Sequence, residues 1–203
     1  AVDDALMRTA GRAPPDAWTH TLRLYWFEPP ALSIGAFQPL ADVQRGACAA
    51  ASIDVVRRPT GGRAVLHDGC LTYSLTGPAG GSVFGGGIRT SYRRIAAALL
   101  DAIARLGIPL AGAAPVDKAA SVSPSCFDHA APYEPVFAGV KLAGSAQARR
   151  GDTALQHGSL RLFAGPVPVS CLLRRRGGST SGADAGQPPA LADLLGVNVG
   201  REQ

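Results

Sequence analysis

The chain has 203 residues, of which 46% are hydrophobic and 17% charged. This length and composition predict one globular domain over residues 1–203 and argue against global disorder. The longest apolar runs fall far short of the roughly 20 residues that span a bilayer, so we predict no membrane segment. No basic and apolar leader opens the chain, so secretion is not indicated. The few cysteines make a reducing cytoplasm the expected location.

The net charge is +5, from 20 Lys and Arg against 15 Asp and Glu, which favours acidic partners. The arginines occur as separate short clusters. Aromatic residues make up 6% and are not interleaved with the basic ones, so nucleic acid is not the expected partner.

The first half of the chain predicts one helix and several short strands. Asp3 and Asp4 stand in the first turn of a helix over residues 2–9, where the helix dipole favours acids. Alternating or β-branched residues predict strands over 21–27, 33–38, 53–58 and 71–76. Residues 77–87 are rich in glycine and predict a loop.

The second half predicts a long helix followed by more strands. Apolar residues share one face over 92–106, and Gly107 is a plausible C-terminal stop. Strands are predicted over 133–137, 141–149 and 153–163, joined as a meander. A flexible loop over 177–189 and a short helix over 191–195 complete an α+β chain, in which helices flank the strands.

Cysteines stand at positions 48, 70, 126 and 171. No two have C-x-x-C spacing, so neither a zinc site nor a dithiol pair is indicated, and four are too few for a disulfide scaffold. No cluster with metal-ligand spacing occurs elsewhere, so we expect no metal.

A turn rich in glycine and arginine follows the third predicted strand. Pro59 and Gly61-Gly62 require a tight turn, and glycine lets a ligand approach backbone N–H groups. Arginines beside such a turn suit an anion, although a turn with solvated arginines would have the same sequence. The segment is neither a P-loop nor a dinucleotide fingerprint, because both spacings are missing.

The longer string from Arg58 to His67, Arg-Pro-Thr-Gly-Gly-Arg-Ala-Val-Leu-His, resembles the signature of the biotin/lipoate protein ligase family. It continues with Leu-Thr-Tyr-Ser-Leu over 71–75. Segments 1–6, 22–30, 33–38, 126–127, 141–147 and 155–159 resemble the lipoate and octanoate branch in the same order. The resemblance covers roughly residues 1–165, and Cys126-Phe127 looks like the motif of the LipM-type octanoyltransferases. It implies a mixed, mainly antiparallel sheet flanked by helices.

The resemblance also implies a reaction. An octanoyl group would pass from octanoyl-acyl carrier protein, through a thioester on Cys126, to a lysine of a lipoyl domain or of glycine cleavage H protein, without a cofactor. Lys141 would favour the Cys126 thiolate or orient the thioester carbonyl. The implied binding residues are Arg58, Thr60, Gly61, Gly62, Arg63, His67, Ala143, Gly144, Ser145, His157 and Gly158.

Two histidines have expected roles. His67 is expected to shape the acyl pocket and to hydrogen-bond the Gly61-Gly62 turn. His157 is expected on a strand facing Lys141 in a supporting role, although either His157 or Lys141 could accept the proton of the incoming amine. Among the cysteines Cys70 is the less favoured nucleophile, and the remaining two, Cys48 and Cys171, are predicted to lie in the core.

Three alternatives stay open. An ATP-dependent lipoate ligase would need ATP and Mg²⁺, with Lys141 contacting the acyl-adenylate phosphate. An amidotransferase would move octanoate between lipoyl proteins, and a non-catalytic acyl-binding module would use the same fold without chemistry. The resemblance stops after 191–195, so the family's C-terminal helices are expected to be reduced or missing.

Overall fold

The structure is a computed structural model that describes residues 2–12, 19–108, 111–112, 135–137, 140–174 and 189–197. Cys126 and nearly all of the loop predicted over 177–189 lie outside the described residues. Within the part of the chain that is described, no helix combines the length and the apolar character needed to cross a membrane.

The larger sheet has four antiparallel strands in the order β1-β5-β10-β9. Its strands are β1 (Thr21–Tyr25), β5 (Cys70–Pro78), β9 (Ala143–Arg150) and β10 (Thr153–Arg161). Helix α1 (Val2–Ala10), the short α3 (Gly81–Phe84) and the long α4 (Gly87–Arg105) pack on this sheet.

The two faces of the larger sheet have different partners because successive side chains on a strand point to opposite sides. Tyr73 on β5 packs with Phe84 and with Ile95 of α4 in an apolar cluster. The next residue, Ser74, donates a hydrogen bond to Asp3 of α1, 2.7 Å away. One face of the sheet therefore carries an apolar core and the other meets a polar helix end.

The second sheet places β2 (Ala31–Ile34) between β3 (Asp54–Arg57), which is parallel to it, and β4 (Val65–His67), which is antiparallel. One face of β2 covers a core that includes side chains of helices α2 (Arg45–Ala50) and α5 (Val169–Leu172). A third, small sheet joins β6 (Ala111–Gly112), β7 (Pro135–Phe137) and β8 (Val140–Lys141). Helix α6 (Leu191–Leu195) is the last described element.

The α+β prediction is confirmed, with sheets that are mainly antiparallel and flanked by helices. The glycine-rich stretch predicted as a loop instead contains α3 and the start of α4. The second strand is shorter than predicted and ends at Ile34, because Arg57 donates hydrogen bonds to the carbonyls of Gly35 and Gln38, both at 2.8 Å, and so holds a turn there. The predicted strand from Lys141 onward is two strands, separated at Leu142 and placed in different sheets.

Strand β1 has its polar side turned inward. Leu22 and Leu24 are 61% and 64% exposed, whereas Arg23 and Tyr25 on the other side are partly buried and line a cavity. The alternation was enough to predict the strand, but the usual inference that the apolar side faces the interior fails here. The reason is that Arg23 and Tyr25, on the inner side of β1, hydrogen-bond to Asp3.

The substitution Leu32→Ala tests the assignment of the core beneath the second sheet. Leu32 is fully buried in the cluster beneath β2, so Leu32→Ala should lower the free energy of unfolding by about 2–5 kcal/mol in urea denaturation. Leu24→Ala removes the same atoms from an exposed position and should change it by less than about 0.5 kcal/mol. Equal losses in the two variants would contradict this assignment of the core.

Candidate active site

A cavity of about 320 Å³ is lined by strands of the larger sheet and of the second sheet, and by the first turn of α1. Its volume is at the lower end of the range typical of small-molecule pockets. The apolar part of the wall comes from Val2, Tyr25, Phe27, Val56 and Val65. Such a wall suits a slender apolar group better than a large polar one.

Most of the predicted binding residues meet at this cavity. The wall includes Arg58, Gly62, His67, Gly144, Ser145, His157 and Gly158. The other four lie next to it: Thr60 contacts His157, Gly61 and Arg63 present carbonyls to Arg58, and Ala143 is buried beside Gly144. Segments that are far apart in the sequence thus form one site.

The predicted catalytic pair is described only in part. Lys141 is 7% exposed and ends β8, where it pairs with Val136. It stands three positions before Gly144 of the cavity wall. Because Cys126 lies outside the described residues, its partnership with Lys141 stays a prediction.

The guanidinium of Arg58 is engaged by protein acceptors. Its Nη1 donates to the carbonyl and the hydroxyl of Ser33 at 3.0 and 3.2 Å, and its Nη2 donates to the carbonyls of Gly61 and Arg63 at 2.9 and 2.6 Å. Nε also donates to Gly61. Arg58 therefore holds the glycine turn against β2, and the anion-binding role that the sequence suggested for it stays a prediction.

His67 is a neutral, fixed part of the wall. Its Nε2 lies 2.8 Å from the Ser33 hydroxyl, its Nδ1 lies 3.1 Å from that of Ser159, and its ring stacks on Phe27 at 4.1 Å between centroids. Burial, with the charge of Arg58, lowers the pKa of His67 to about 3. The expected direct bond to the glycine turn is wrong, because Ser33 stands between His67 and Arg58.

Gly158 makes room for a contact across the sheet. It stands in β10 between Tyr73 and Ser145, whose hydroxyls are 2.8 Å apart. A Cβ at Gly158 would lie 2.5 Å from Ser145 Oγ and 2.7 Å from Tyr73 Cε1. Only glycine at position 158 leaves room for the Tyr73 ring to reach Ser145 across β10.

Asp3 belongs to the site, although the sequence suggested only a favourable interaction with the helix dipole. The carboxylate accepts hydrogen bonds from Arg23, from Ser74 at 2.7 Å and from Tyr25 at 3.2 Å. Burial alone would raise the pKa of Asp3, but hydrogen bonds from His157 and Ser74 and the charge of Arg23 lower it to about 2. One signal was available: Asp3 and the core residue Met7 are four apart, so an acid lies on the buried face of α1.

His157 stands on the central strand β10, which pairs with β9, the strand that begins two positions after Lys141. In the sheet register it stands between Ser74 on β5 and Ala146 on β9, while Lys141 lies in the small sheet. Its ring lies between Asp3 and Thr60, with Nε2 2.6 Å from Thr60 Oγ1. Both ring nitrogens are therefore engaged by protein side chains, which fits a supporting role.

The described cysteines differ in environment. Cys48 is buried as predicted, whereas Cys171 is exposed, so its predicted core position is wrong. Helix α5 turns Leu172 inward and leaves Cys171 on its outer side. Burial raises the pKa of the Cys70 thiol to about 12, which makes Cys70 a poor nucleophile.

No group of three or more His, Cys, Asp or Glu side chains with metal-binding geometry occurs among the residues that the structure describes.

Gly158→Ala tests the crossing of the sheet. The added methyl group collides with Ser145 and Tyr73, so we expect a loss of about 1–3 kcal/mol in the free energy of unfolding. Gly46→Ala on α2 is a matched control, since nothing lies within 4 Å of its Cβ and alanine favours a helix. The control should be neutral or stabilising by up to about 1 kcal/mol, and an equal loss in both variants would contradict the packing argument.

His67→Gln tests the neutral histidine through the pH dependence of stability. The unfolded chain binds a proton near pH 6.5, whereas folded His67 stays neutral down to a pKa of about 3. The wild-type free energy of unfolding should therefore fall as the pH drops from 6.5 towards 3, by up to about 1.4 kcal/mol per pH unit from this residue. Urea denaturation between pH 7 and 4 should show a shallower slope for the variant, and identical slopes would contradict the assignment.

Comparison with known proteins agrees with this geometry. Residues 1–165 match the family described as the lipoyl protein ligase A/B catalytic domain. A relative from Kyrpidia tusciae, named octanoyltransferase LipM, is 42% identical over 182 residues, which cover 86% of this chain and 65% of that protein. This chain thus spans just under two thirds of that relative's length.

Two solved structures share the fold. One is a lipoate-protein ligase A bound with ATP, with a TM-score of 0.73 and 21% identity, over 97% of this chain and 72% of that one. The other is a bipartite lipoate protein ligase, studied with its E2 lipoyl domain, from Thermoplasma acidophilum, with a TM-score of 0.67 and 22% identity, over 87% of this chain and 60% of that one. The family match over residues 1–165, which contain every described strand of the cavity wall, shows that this chain belongs to the lipoyl protein ligase A/B catalytic domain family.

Proposed function

We propose that this chain transfers an octanoyl group from octanoyl-acyl carrier protein to a lysine of a lipoyl domain or of glycine cleavage H protein. The observation that carries the proposal is the partly apolar cavity, whose wall is built by the motif segments around Arg58–His67, Gly144 and His157. The 42% identity to a relative named octanoyltransferase LipM supports this choice of reaction within the family.

The proposed reaction proceeds by two acyl transfers. The thiolate of Cys126 attacks the carbonyl carbon of the carrier thioester, a new carbon–sulfur bond forms, and the carrier thiolate leaves. The acceptor lysine amine then attacks the Cys126 thioester, a carbon–nitrogen bond forms, and the Cys126 thiolate is released. The proton lost by the amine is taken up by the released Cys126 thiolate. One thioester replaces another in the first step, so no ATP is required.

The proposal assigns Lys141 to the carbonyl and the thiolate. An ammonium beside Cys126 would favour the ionised thiol and would stabilise negative charge that develops on the carbonyl oxygen. Lys141 is buried and lies three positions before Gly144 of the cavity wall. This placement supports the assignment.

The acyl chain would lie along the apolar wall. Each buried methylene gains roughly 0.8 kcal/mol on leaving water, so Val2, Phe27 and Val56 can supply most of the binding energy for an eight-carbon chain. The limited volume of about 320 Å³ gives a physical basis for selecting medium chains. The net charge of +5 suits acidic carrier and lipoyl domains, and we place the reaction in the cytoplasm.

An ATP-dependent lipoate ligase is the second candidate, because one structural neighbour is a ligase bound with ATP. It would need ATP and Mg²⁺. In the described wall Arg23 pairs with Asp3, and Arg58 donates to carbonyls and to Ser33. These arginines are engaged by protein acceptors, so this wall fits an acyl chain better than a triphosphate.

Cys126→Ser tests the transferase directly. Incubation with octanoyl-acyl carrier protein should add one octanoyl group to the wild type, visible by mass spectrometry and removed by hydroxylamine. The serine variant should show no such adduct, because it has no thiolate to attack. Cys171→Ser is the matched control, since Cys171 is exposed but lies outside the cavity wall, and it should acylate at the wild-type rate.

Acylation of Cys126→Ser at the wild-type rate would contradict the role of the cysteine. Pyrophosphate release that depends on lipoate and ATP would replace the proposal with the ligase. Transfer between lipoyl proteins without a carrier protein would indicate an amidotransferase, and tight lipoate binding without any adduct would indicate a binding module.

A further inference from the structure

His157 connects the first helix to the glycine turn. Its Nδ1 lies 3.5 Å from Asp3 Oδ2, and its Nε2 lies 2.6 Å from Thr60 Oγ1. Thr60 is fully buried, and the side chains of His157 and Asp3 are 13% and 11% exposed. These contacts form a short chain that is shielded from solvent and runs from α1 to the loop that carries Gly61-Gly62.

We propose that Asp3 is a positioning residue that selects the Nδ1–H tautomer of His157, so that Nε2 accepts the Thr60 hydroxyl and fixes the glycine turn at the cavity wall. The consequence for catalysis rests on the octanoyl transfer proposed above. The tautomer itself does not depend on it.

The direction of the hydrogen bonds follows from what each group can donate. The pKa of Asp3 is lowered to about 2, so its carboxylate is ionised at neutral pH and can only accept. The nitrogen of His157 that faces it must therefore carry the proton. When the ring carries this one proton, the other nitrogen is an acceptor, and the Thr60 hydroxyl donates to it.

The carboxylate of Asp3 is held in a fixed orientation by its other partners. Arg23 and Ser74 donate to Oδ1, while Tyr25 donates to Oδ2 on the side of His157. These donors come from β1 and β5, two neighbouring strands of the larger sheet. A carboxylate anchored at both oxygens presents a steady acceptor to the imidazole, even though the contact with Nδ1 is long.

The other end of the chain of contacts sits in a crowded loop. The carbonyl of Thr60 accepts the N–H of Ala36 at 2.8 Å, and the carbonyl of Gly62 packs so closely on Gly35 that no side chain would fit at Gly35. Gly62 in turn lines the cavity. Because the loop has little room, a change in where the Thr60 hydroxyl is held would move the wall against which an acyl chain lies.

Nitrogen-15 NMR of histidine-labelled protein measures the tautomer. His157→Gln assigns the His157 signals, and the wild type should show a protonated Nδ1 and an unprotonated Nε2. Asp3→Asn retains the size of the side chain but removes the charge that selects the tautomer. The Nδ1 and Nε2 chemical shifts should therefore move towards each other or swap values. Asp101→Asn is the control, because Asp101 also pairs with an arginine but on the exposed surface of α4.

Octanoyl transfer to Cys126 measures the consequence. Asp3→Asn and Thr60→Val should each slow acylation roughly tenfold, and the double variant should be no slower than either single one, because both changes break the same chain of contacts. Thr60→Ser keeps the hydroxyl and should restore most of the rate, while Asp101→Asn should leave it unchanged.

The outcomes separate the two proposals. A wild-type His157 that is protonated at Nε2, alone or together with Nδ1, would overturn the positioning role, and so would an Asp3→Asn variant that acylates at the wild-type rate. If the slowing in the double variant is the product of the slowing in the two single variants, and the nitrogen shifts are unchanged, the cause is a general loss of structure. That result would also overturn the positioning role. A wild type that never acylates contradicts octanoyl transfer, and the nitrogen shifts still decide the tautomer. If Asp3→Asn does not fold, the wild-type shifts decide alone.

Discussion

The site depends on the bonds that one partly buried cation, Arg58, makes with backbone carbonyls. The guanidinium of Arg58 holds the carbonyls of Gly61 and Arg63 on one side and the backbone and hydroxyl of Ser33 on the other. Charge-assisted bonds of this kind are stronger than neutral ones, and the fork of donors fixes direction as well as distance. The glycine turn, the second sheet and, through Ser33, the ring of His67 therefore keep one arrangement.

The polar groups in the cavity wall are satisfied by the protein. Asp3 is paired with Arg23, His67 is hydrogen-bonded and neutral, and His157 is held between Asp3 and Thr60. An acyl chain in the cavity would therefore contact groups that already have hydrogen-bond partners. Its binding would not require the desolvation of unpaired charges. A wall built in this way can contain many polar atoms and still accept an apolar ligand.

The sequence predicted the class of fold, and most of the binding residues that it predicted lie in the cavity wall. Local patterns found α1, β1 and the long helix, and the motif segments brought Arg58, His67 and Gly158 to one site. Their partners were not predictable in the same way, because Ser33, Ser74 and Ser159 become important only through register between distant strands. The inward polar side of β1 was missed for a related reason: hydrophobic alternation indicates a strand but does not identify the side that faces a cavity.

The position of Asp3 shows why the missed residues matter. A charged residue in the first turn of a helix normally needs no further explanation, since the dipole and water together accommodate it. Here the helix is docked so that the carboxylate leaves water and takes donors from two strands and a histidine. Burial costs energy that several hydrogen bonds and one cation must offset, so this arrangement holds only when β1, β5 and β10 are already in register. The contacts that stabilise the buried Asp3 carboxylate therefore form only when the larger sheet is folded, and the part of the cavity wall that contains Asp3 forms with them.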